Sequence, residues 1–328
     1  MDRVRWGVVS TAGIGLGKVI PAIQQAPNCE VVAIASRRAG RARAAADQLG
    51  IPRSFGSYED LVHADGVDAL YIPLPNHLHL EWTAAAAGAG KHVLCEKPLA
   101  LTSADARQMV AVCATAGVKF MEAFMYRLHP SWVKVQQLVT SGAIGELRAI
   151  QTRFAYFNDD PDNIRNQLVT GGGALMDIGC YAINLSRMLF GSEPTGVSAA
   201  VRRDPGSGVD ILTSALLEFG AGQATFTVST QAEPDQRVHL MGTAGRIEVE
   251  IPFNIPPDAE TRVFVTGGGN PPTDPDTVTI AFPAVDPYTI QAELFARAIL
   301  DDSAVPTPPE DGVANMEVVE RVLAAAAG

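Results

Sequence analysis

The sequence has little that marks a specialised environment. Its four cysteines, Cys29, Cys95, Cys113 and Cys180, show no C-x-x-C spacing. That argues against a disulfide scaffold and predicts reduced, mostly buried thiols. No run of Lys and Arg is present, and 25 basic against 36 acidic residues leave a formal net charge of −11. Wholesale electrostatic binding to nucleic acid is therefore not expected. No uninterrupted apolar run is long enough to span a bilayer; Ala-rich stretches such as 83–89 are short and weakly hydrophobic. The first residues run straight into a strand-like segment without a secretory signal, which predicts a cytoplasmic protein with no membrane partner. No fixed-period repeat is found, and a strict G-x-G-x-x-G is missing.

What is present is a globular composition. With 47% hydrophobic and 19% charged residues over 328 positions, the chain can build a large core, and its length suggests two domains. The first third alternates short apolar runs with Ala-rich amphipathic segments. Strands are predicted at 4–10, 30–36, 69–73, 92–95 and 118–123, with helices at 18–26, 40–49, 79–89 and from Thr102 to near Gly117. Thr102-Ser103-Ala104-Asp105 has the form of a capping box. This alternation predicts βαβ units, a doubly wound parallel sheet and a Rossmann-type α/β domain over residues 1–124. After residue 125 the pattern changes to strands at 147–157, 196–203, 211–219, 222–231, 237–242 and 245–251, most joined by Gly-bearing turns. Helices are predicted at 130–141, 179–189 and near the C-terminus, with loop and one or two edge strands over 252–287. Residues 125–328 thus read as an α+β domain with a large, mostly antiparallel open sheet, for substrate binding and oligomerisation.

The first strand runs into Ser10-Thr11-Ala12-Gly13-Ile14-Gly15, where Ser10, Ala12 and Gly15 take the three glycine positions of the dinucleotide motif. Small residues there still let backbone amides approach a pyrophosphate at a helix N-terminus. Pro21 is tolerated only in a first turn, so the helix is expected to begin at about residues 17–20. Taken alone, this loop is equally a tight turn without a ligand. The second strand is sharper. A site for NAD usually carries an acid that holds the ribose 2′-hydroxyl, yet no acid occurs between Glu30 and Asp47. Ser36 with Arg37 or Arg38 can instead hold a 2′-phosphate, so the expected cofactor is NADP. Arg41 and Arg43 read as the solvated face of the next helix.

Two segments carry candidate chemistry. Cys95-Glu96-Lys97-Pro98 follows a strand at the sheet edge where ligands bind in such folds. Gly171-Gly172-Gly173 leads through Asp177 to Tyr181 four residues on, a spacing that shares one helical face. The same spacing also fits a capped helix whose tyrosine packs in the core. His77 and His79 raise the question of a metal, but the cysteines lack ligand spacing and no metal is predicted.

These segments, with Trp6-Gly7, Asn76-His77-x-His79, the run from Gly90 to Pro98, Met125-Tyr126-Arg127 and Gly171 to Tyr181, resemble the Gfo/Idh/MocA family of NAD(P)-dependent oxidoreductases over nearly the whole length. The resemblance implies that Lys97 lies beside nicotinamide and substrate, and that Asp177 helps form the site. It also implies that Pro75, Asn76, His77, Glu96, Arg127 and Tyr288 lie near the cofactor. Many members carry His where Tyr181 stands; tyrosine is similar to the dihydrodiol dehydrogenase, NADP-dependent xylose dehydrogenase and glucose-fructose oxidoreductase branch. Tyr181 is then the acid/base, with the Lys97 ammonium favouring its phenolate. His129, beside Arg127, is expected to face the active site or serve a hinge, and Asn163 or Arg165 to touch substrate. The expected substrate is a sugar, cyclic polyol or diol. The alternatives are a pyranoside ring-hydroxyl dehydrogenase and a non-catalytic NADP sensor; a sensor would need neither Lys97 nor Tyr181. An open apolar sheet face is expected to pair subunits into a homodimer or homotetramer.

Overall fold

The computed structural model describes residues 3–268 and 276–326. Its contacts divide the chain into two compact units, Met1–Met125 with Pro287–Met316, and Tyr126–Asp286 with Glu317–Gly328.

The first unit contains β1 (Val4–Val9), α1 (Ile20–Gln25), β2 (Cys29–Ala35), α2 (Ala39–Leu49), β3 (Arg53–Phe55), α3 (Tyr58–Val62), β4 (Ala69–Ile72), α4 (His79–Gly88), β5 (His92–Cys95), α5 (Ser103–Ala116) and β6 (Phe120–Glu122). The six strands are parallel and lie in the order β3-β2-β1-β4-β5-β6, a Rossmann sheet. The order reverses between β1 and β4, so a crevice opens at their carboxyl ends. One half of the capping box forms, Thr102 Oγ1 accepting the Asp105 amide at 3.1 Å, and α5 stops at Gly117 with φ +67°. The first helix departs from expectation. Its coil starts at residue 13 and passes through a π turn at Gly15–Val19, closed by Ile20 N–H on Gly15 O, before α1. That i→i−5 turn breaks the regular ladder just ahead of Pro21, where no N–H exists to continue it.

One expectation about the domains needs correction: the part after residue 124 is not one continuous unit. A helix, Pro287–Leu300, returns to the Rossmann unit because its apolar face completes that core. Phe295 is fully buried with its ring centroid 5.7 Å from that of Trp6, and Asn28 donates to Glu293 O at 3.0 Å. Burying one such side chain contributes about 2–3 kcal/mol.

The second unit begins with α6 (Pro130–Thr140), β7 (Leu147–Phe157) and α7 (Cys180–Phe190). It continues through β8 (Gly196–Arg203), β9 (Asp210–Phe219), β10 (Gly222–Ser229), β11 (Gln231–Gly242), β12 (Gly245–Val249), β13 (Thr261–Gly267) and β14 (Thr277–Phe282). These form an eight-stranded sheet, β14-β13-β12-β11-β7-β10-β9-β8, antiparallel except where β10 runs parallel to β7. β13 and β14 supply the strands expected within 252–287, of which residues 269–275 lie outside the described residues. Leu168–Phe190 is long and apolar enough to cross a membrane by length and composition, yet 72% of its most apolar window is buried, as in a core helix.

The open sheet face is mixed, where an apolar surface was expected. Alternation turns Ile150, Phe154, Phe226, Val228, Val238 and Leu240 inward. It leaves Gln151, Arg153, Thr225, Thr227 and His239 outward, together with the exposed apolar Phe157, Leu212 and Met241.

Candidate active site

The carboxyl edge of the Rossmann sheet gathers most of the predicted cofactor residues. Ser10, just after β1, has φ 135°, a conformation ordinarily left to glycine. Its hydroxyl accepts the Ala12 amide at 3.0 Å and donates to Pro73 O at 3.3 Å. These bonds fold the loop so that the coil begins at Gly13, an exposed position where a Cβ would meet only open space. First-turn amides lack intrahelical partners and point out of the helix end, as a pyrophosphate cradle requires.

At the end of β2, Ser36 is buried, whereas Arg37 and Arg38 are exposed. Ser36 Oγ lies 3.4 Å from the Arg38 amide, and its own amide bonds Phe55 O at 3.1 Å. Burial pushes the phenol of Tyr58 up, and the nearby Arg37 charge pulls it back. A hydroxyl and two guanidinium groups without a carboxylate form a donor set suited to a 2′-phosphate, so the residues fit the dinucleotide.

After β4, Pro75, Asn76 and His77 form a short turn leading to α4. His79 turns inward and is fully buried. Its Nε2 lies 2.8 Å from Leu74 O, and its Nδ1 3.1 Å from both Pro98 O and Leu99 O. It fastens the β4 loop to the loop bearing Lys97, whose peptide bond to Pro98 is cis. Glu96 Oε1 accepts the buried Tyr71 hydroxyl at 2.7 Å, and burial followed by the Glu96 charge drives that phenol well above its ordinary range. Tyr288 packs half-buried against the Rossmann core.

In the second unit a different cluster forms. Asp177 sits in a π turn at Leu175–Gly179 that runs into α7. Its Oδ2 accepts the Tyr156 hydroxyl at 2.6 Å and pairs with Arg165 Nε at 3.0 Å. The Tyr156 phenol is pushed up by burial and by the Asp177 charge, so it acts as a neutral donor. Gly179 packs closely: a Cβ there would lie 2.8 Å from Leu175 Cδ1 and 3.3 Å from Val228. Tyr181 is 5% exposed, its ring packed among Tyr126, Phe154 and Phe253 at centroid distances of 5.7, 5.8 and 5.2 Å. The ring of Tyr181 is thus placed as the core reading expects.

Three further residues have partners that the sequence did not show. Arg127 belongs to the second unit and donates to Asn184 Oδ1 at 3.2 Å. Asn163 caps the following turn by accepting the Arg165 amide at 3.0 Å. His129 is a buried helix cap: its Nδ1 accepts the Ser131 amide at 3.2 Å, and burial lowers it to about 4. Sequence reasoning missed Tyr156 and Asp210 altogether. Alternation along β7 does mark Tyr156 as inward-facing with Phe154, but nothing local tells which partner an inward tyrosine meets.

Comparison with known proteins agrees with this architecture. The model of an oxidoreductase family with an NAD-binding Rossmann fold matches residues 4–124, and that of the GFO/IDH/MocA C-terminal domain matches residues 132–248. The chain belongs to the Gfo/Idh/MocA oxidoreductase family. Among Gfo/Idh/MocA relatives, it is 45% identical to an uncharacterized oxidoreductase of Rhizobium meliloti, over 98% of this chain and 96% of that one. It is 38% identical to a D-xylose 1-dehydrogenase (NADP(+)) of Haloferax volcanii, over 98% and 97%. A solved 3-ketoreductase from Actinomadura kijaniata, in complex with NADP and TDP-benzene, superposes with a TM-score of 0.92 at 31% identity, covering 99% of this chain and 98% of that one. The chain is an NAD(P)-dependent oxidoreductase acting on CH–OH groups.

Proposed function

We propose that the enzyme uses NADP and moves a hydride between nicotinamide and a hydroxyl-bearing carbon of a sugar, cyclic polyol or diol. What carries this reading is the end of β2, where buried Ser36 and exposed Arg37 and Arg38 lie in a stretch with no acid between Glu30 and Asp47. The NADP named for the Haloferax volcanii dehydrogenase and bound in the Actinomadura kijaniata ketoreductase supports it. The cofactor, when bound, supplies the hydride chemistry. Tyr181 takes the hydroxyl proton in oxidation and returns it in reduction. An ordinary phenol titrates near ~10, too high for an efficient base at neutrality, so Lys97 is assigned the role of favouring the phenolate. Asp177 orients a substrate hydroxyl, with Arg165 and Asn163 as further substrate contacts. A homodimer or homotetramer through the second unit's sheet completes the proposal; a monomer by light scattering at working concentration counts against it.

The test is a panel of aldoses, cyclic polyols, glycosides and diols with NADP, and of lactones and ketones with NADPH. Turnover of a sugar or diol is expected in the wild type. Tyr181→Phe is expected to lose about 10²–10⁴-fold in kcat while keeping its NADP affinity. Wild-type turnover in that variant removes Tyr181 from the proton-transfer role.

A further inference from the structure

Asp210, at the start of β9, is 3% exposed and belongs to no motif that the sequence singles out. Its Oδ2 accepts the Leu175 amide at 2.7 Å and the Thr213 hydroxyl at 2.7 Å. Its Oδ1 lies so close to Gly173 that a Cβ there would collide with it, and Gly173 has φ +118°. The carboxylate thus fills the space that the missing side chain leaves and holds the first turn of the segment carrying Asp177. Burial raises the Asp210 carboxyl, while the Thr213 and Leu175 bonds pull it back.

Gly173 is where the two halves of the neighbouring ion pair meet. Its amide donates to Arg165 O at 2.8 Å, and its carbonyl accepts the Asp177 amide at 2.9 Å. Arg165 and Asp177 are also joined through their side chains, Nε to Oδ2 at 3.0 Å. The ring so closed runs through a single glycine, and Asp210 is the side chain packed against that glycine.

We propose that Asp210 is a positioning residue that sets the Asp177–Arg165 pair through Gly173 and Leu175. The inference rests on the function proposed above, in which Asp177 orients substrate, but Asp210 itself touches neither substrate nor cofactor. A buried carboxylate that accepts two donors at one oxygen and abuts a glycine has one geometry open to it. It therefore transmits the position of β9 to Asp177 with little slack, and a misplacement of about 1 Å at a reacting group can cost on the order of 100-fold in rate.

The test pairs kinetics with hydrogen exchange. With D-xylose and NADP as probe, Asp210→Ala is expected to lower kcat/KM by at least tenfold and to leave the dissociation constant of NADP within twofold. Asp210→Asn, which keeps an acceptor for the Leu175 amide, is expected to fall between it and the wild type. Both losses are expected to shrink to within threefold in an Asp177→Asn background, since a residue acting through Asp177 has nothing left to position there. Exchange at the Leu175 and Asp177 amides is expected to rise at least tenfold in Asp210→Ala. Equal losses in both backgrounds, or unchanged exchange, overturn the proposal. If the alanine variant does not fold, Asp210→Asn carries the same cycle and the same exchange measurement. If the wild type turns over no sugar, the proposed function fails, and exchange at residues 173–177 still decides whether Asp210 sets this turn.

Discussion

Arg165 and Asp177 are joined twice, by a 3.0 Å contact between their side chains and through the backbone of Gly173. The pair is therefore not an ordinary surface ion pair, of which many contribute under about 1 kcal/mol. Tyr156 adds a third member, giving its hydroxyl hydrogen to the same Asp177 oxygen at 2.6 Å. Four consequences of this structure can be measured.

Tyr156→Phe removes one donor to a carboxylate and leaves the ring in place. Hydrogen bonds to charged groups contribute about 1.5–3 kcal/mol to stability, so a loss of about that size is expected, with kcat/KM falling about tenfold. Steady-state kinetics and urea unfolding check this. A kcat/KM within twofold of wild type would show that Asp177 does not depend on Tyr156 for its orientation.

Cofactor choice resides at the end of β2. Arg37→Ala combined with Arg38→Ala is expected to weaken NADP binding by about 10–100-fold and to leave NAD binding within about twofold, because each lost guanidinium contact to a dianion removes a charge-assisted bond. Tyr58→Phe, which removes the hydroxyl near Arg37, is expected to have a smaller effect of the same sign. Fluorescence titration with both cofactors distinguishes the outcomes; an unaltered NADP preference in the double variant refutes the arginine argument.

Ser10 holds a positive φ, which costs a non-glycine residue about 1–3 kcal/mol. Ser10→Gly relieves that cost and loses the two hydroxyl bonds, so its stability is expected within about 1 kcal/mol of wild type. Ser10→Ala loses the bonds and keeps the strain. It is expected to be less stable than the glycine variant by about 1–2 kcal/mol, read from urea midpoints. Equal midpoints for the two variants would falsify the strain.

His129 makes stability depend on pH. Burial lowers it from 6.5 to about 4, so between those values the unfolded chain holds a proton that the folded chain does not. Its contribution is whole above about pH 6.5 and is lost as pH falls toward about 4. Buried His79 is lowered as well and acts with the same sign. His129→Asn keeps a helix-capping acceptor for the Ser131 amide without titrating, and its urea midpoint is expected to fall less steeply than that of the wild type between pH 6.5 and 4. Parallel pH profiles would exclude His129 as a source of the dependence.

Much of the fold was legible because local rules and the tertiary structure agree. β5 at His92–Cys95, β7 at Leu147–Phe157 and β8 at Gly196–Arg203 lie where apolar patterning and flanking glycines place them. Other elements were hidden. β3 and α3 span three and five residues, too few for a period to show. β11 begins at Gln231, ahead of Glu233-Pro234-Asp235, a stretch that reads as a turn. It remains strand because a bulge between Gln231 and Asp235 lets it stay paired with β7.

Sequence by itself determined which chemistry is available: the small residues of the first loop, the arginines without an acid after β2, and Lys97, Asp177 and Tyr181 in their motifs. Each depends on residue type and short spacing, which a chain carries before it folds. Only the tertiary structure decided the partners. Asp177 meets Tyr156 from β7 and Arg165 from the preceding loop, Asp210 from β9 packs against Gly173, and Pro287–Leu300 returns to the Rossmann core to bury Phe295 against Trp6. Those contacts join residues far apart in the chain, and sheet order and close packing select them, so no local pattern encodes them.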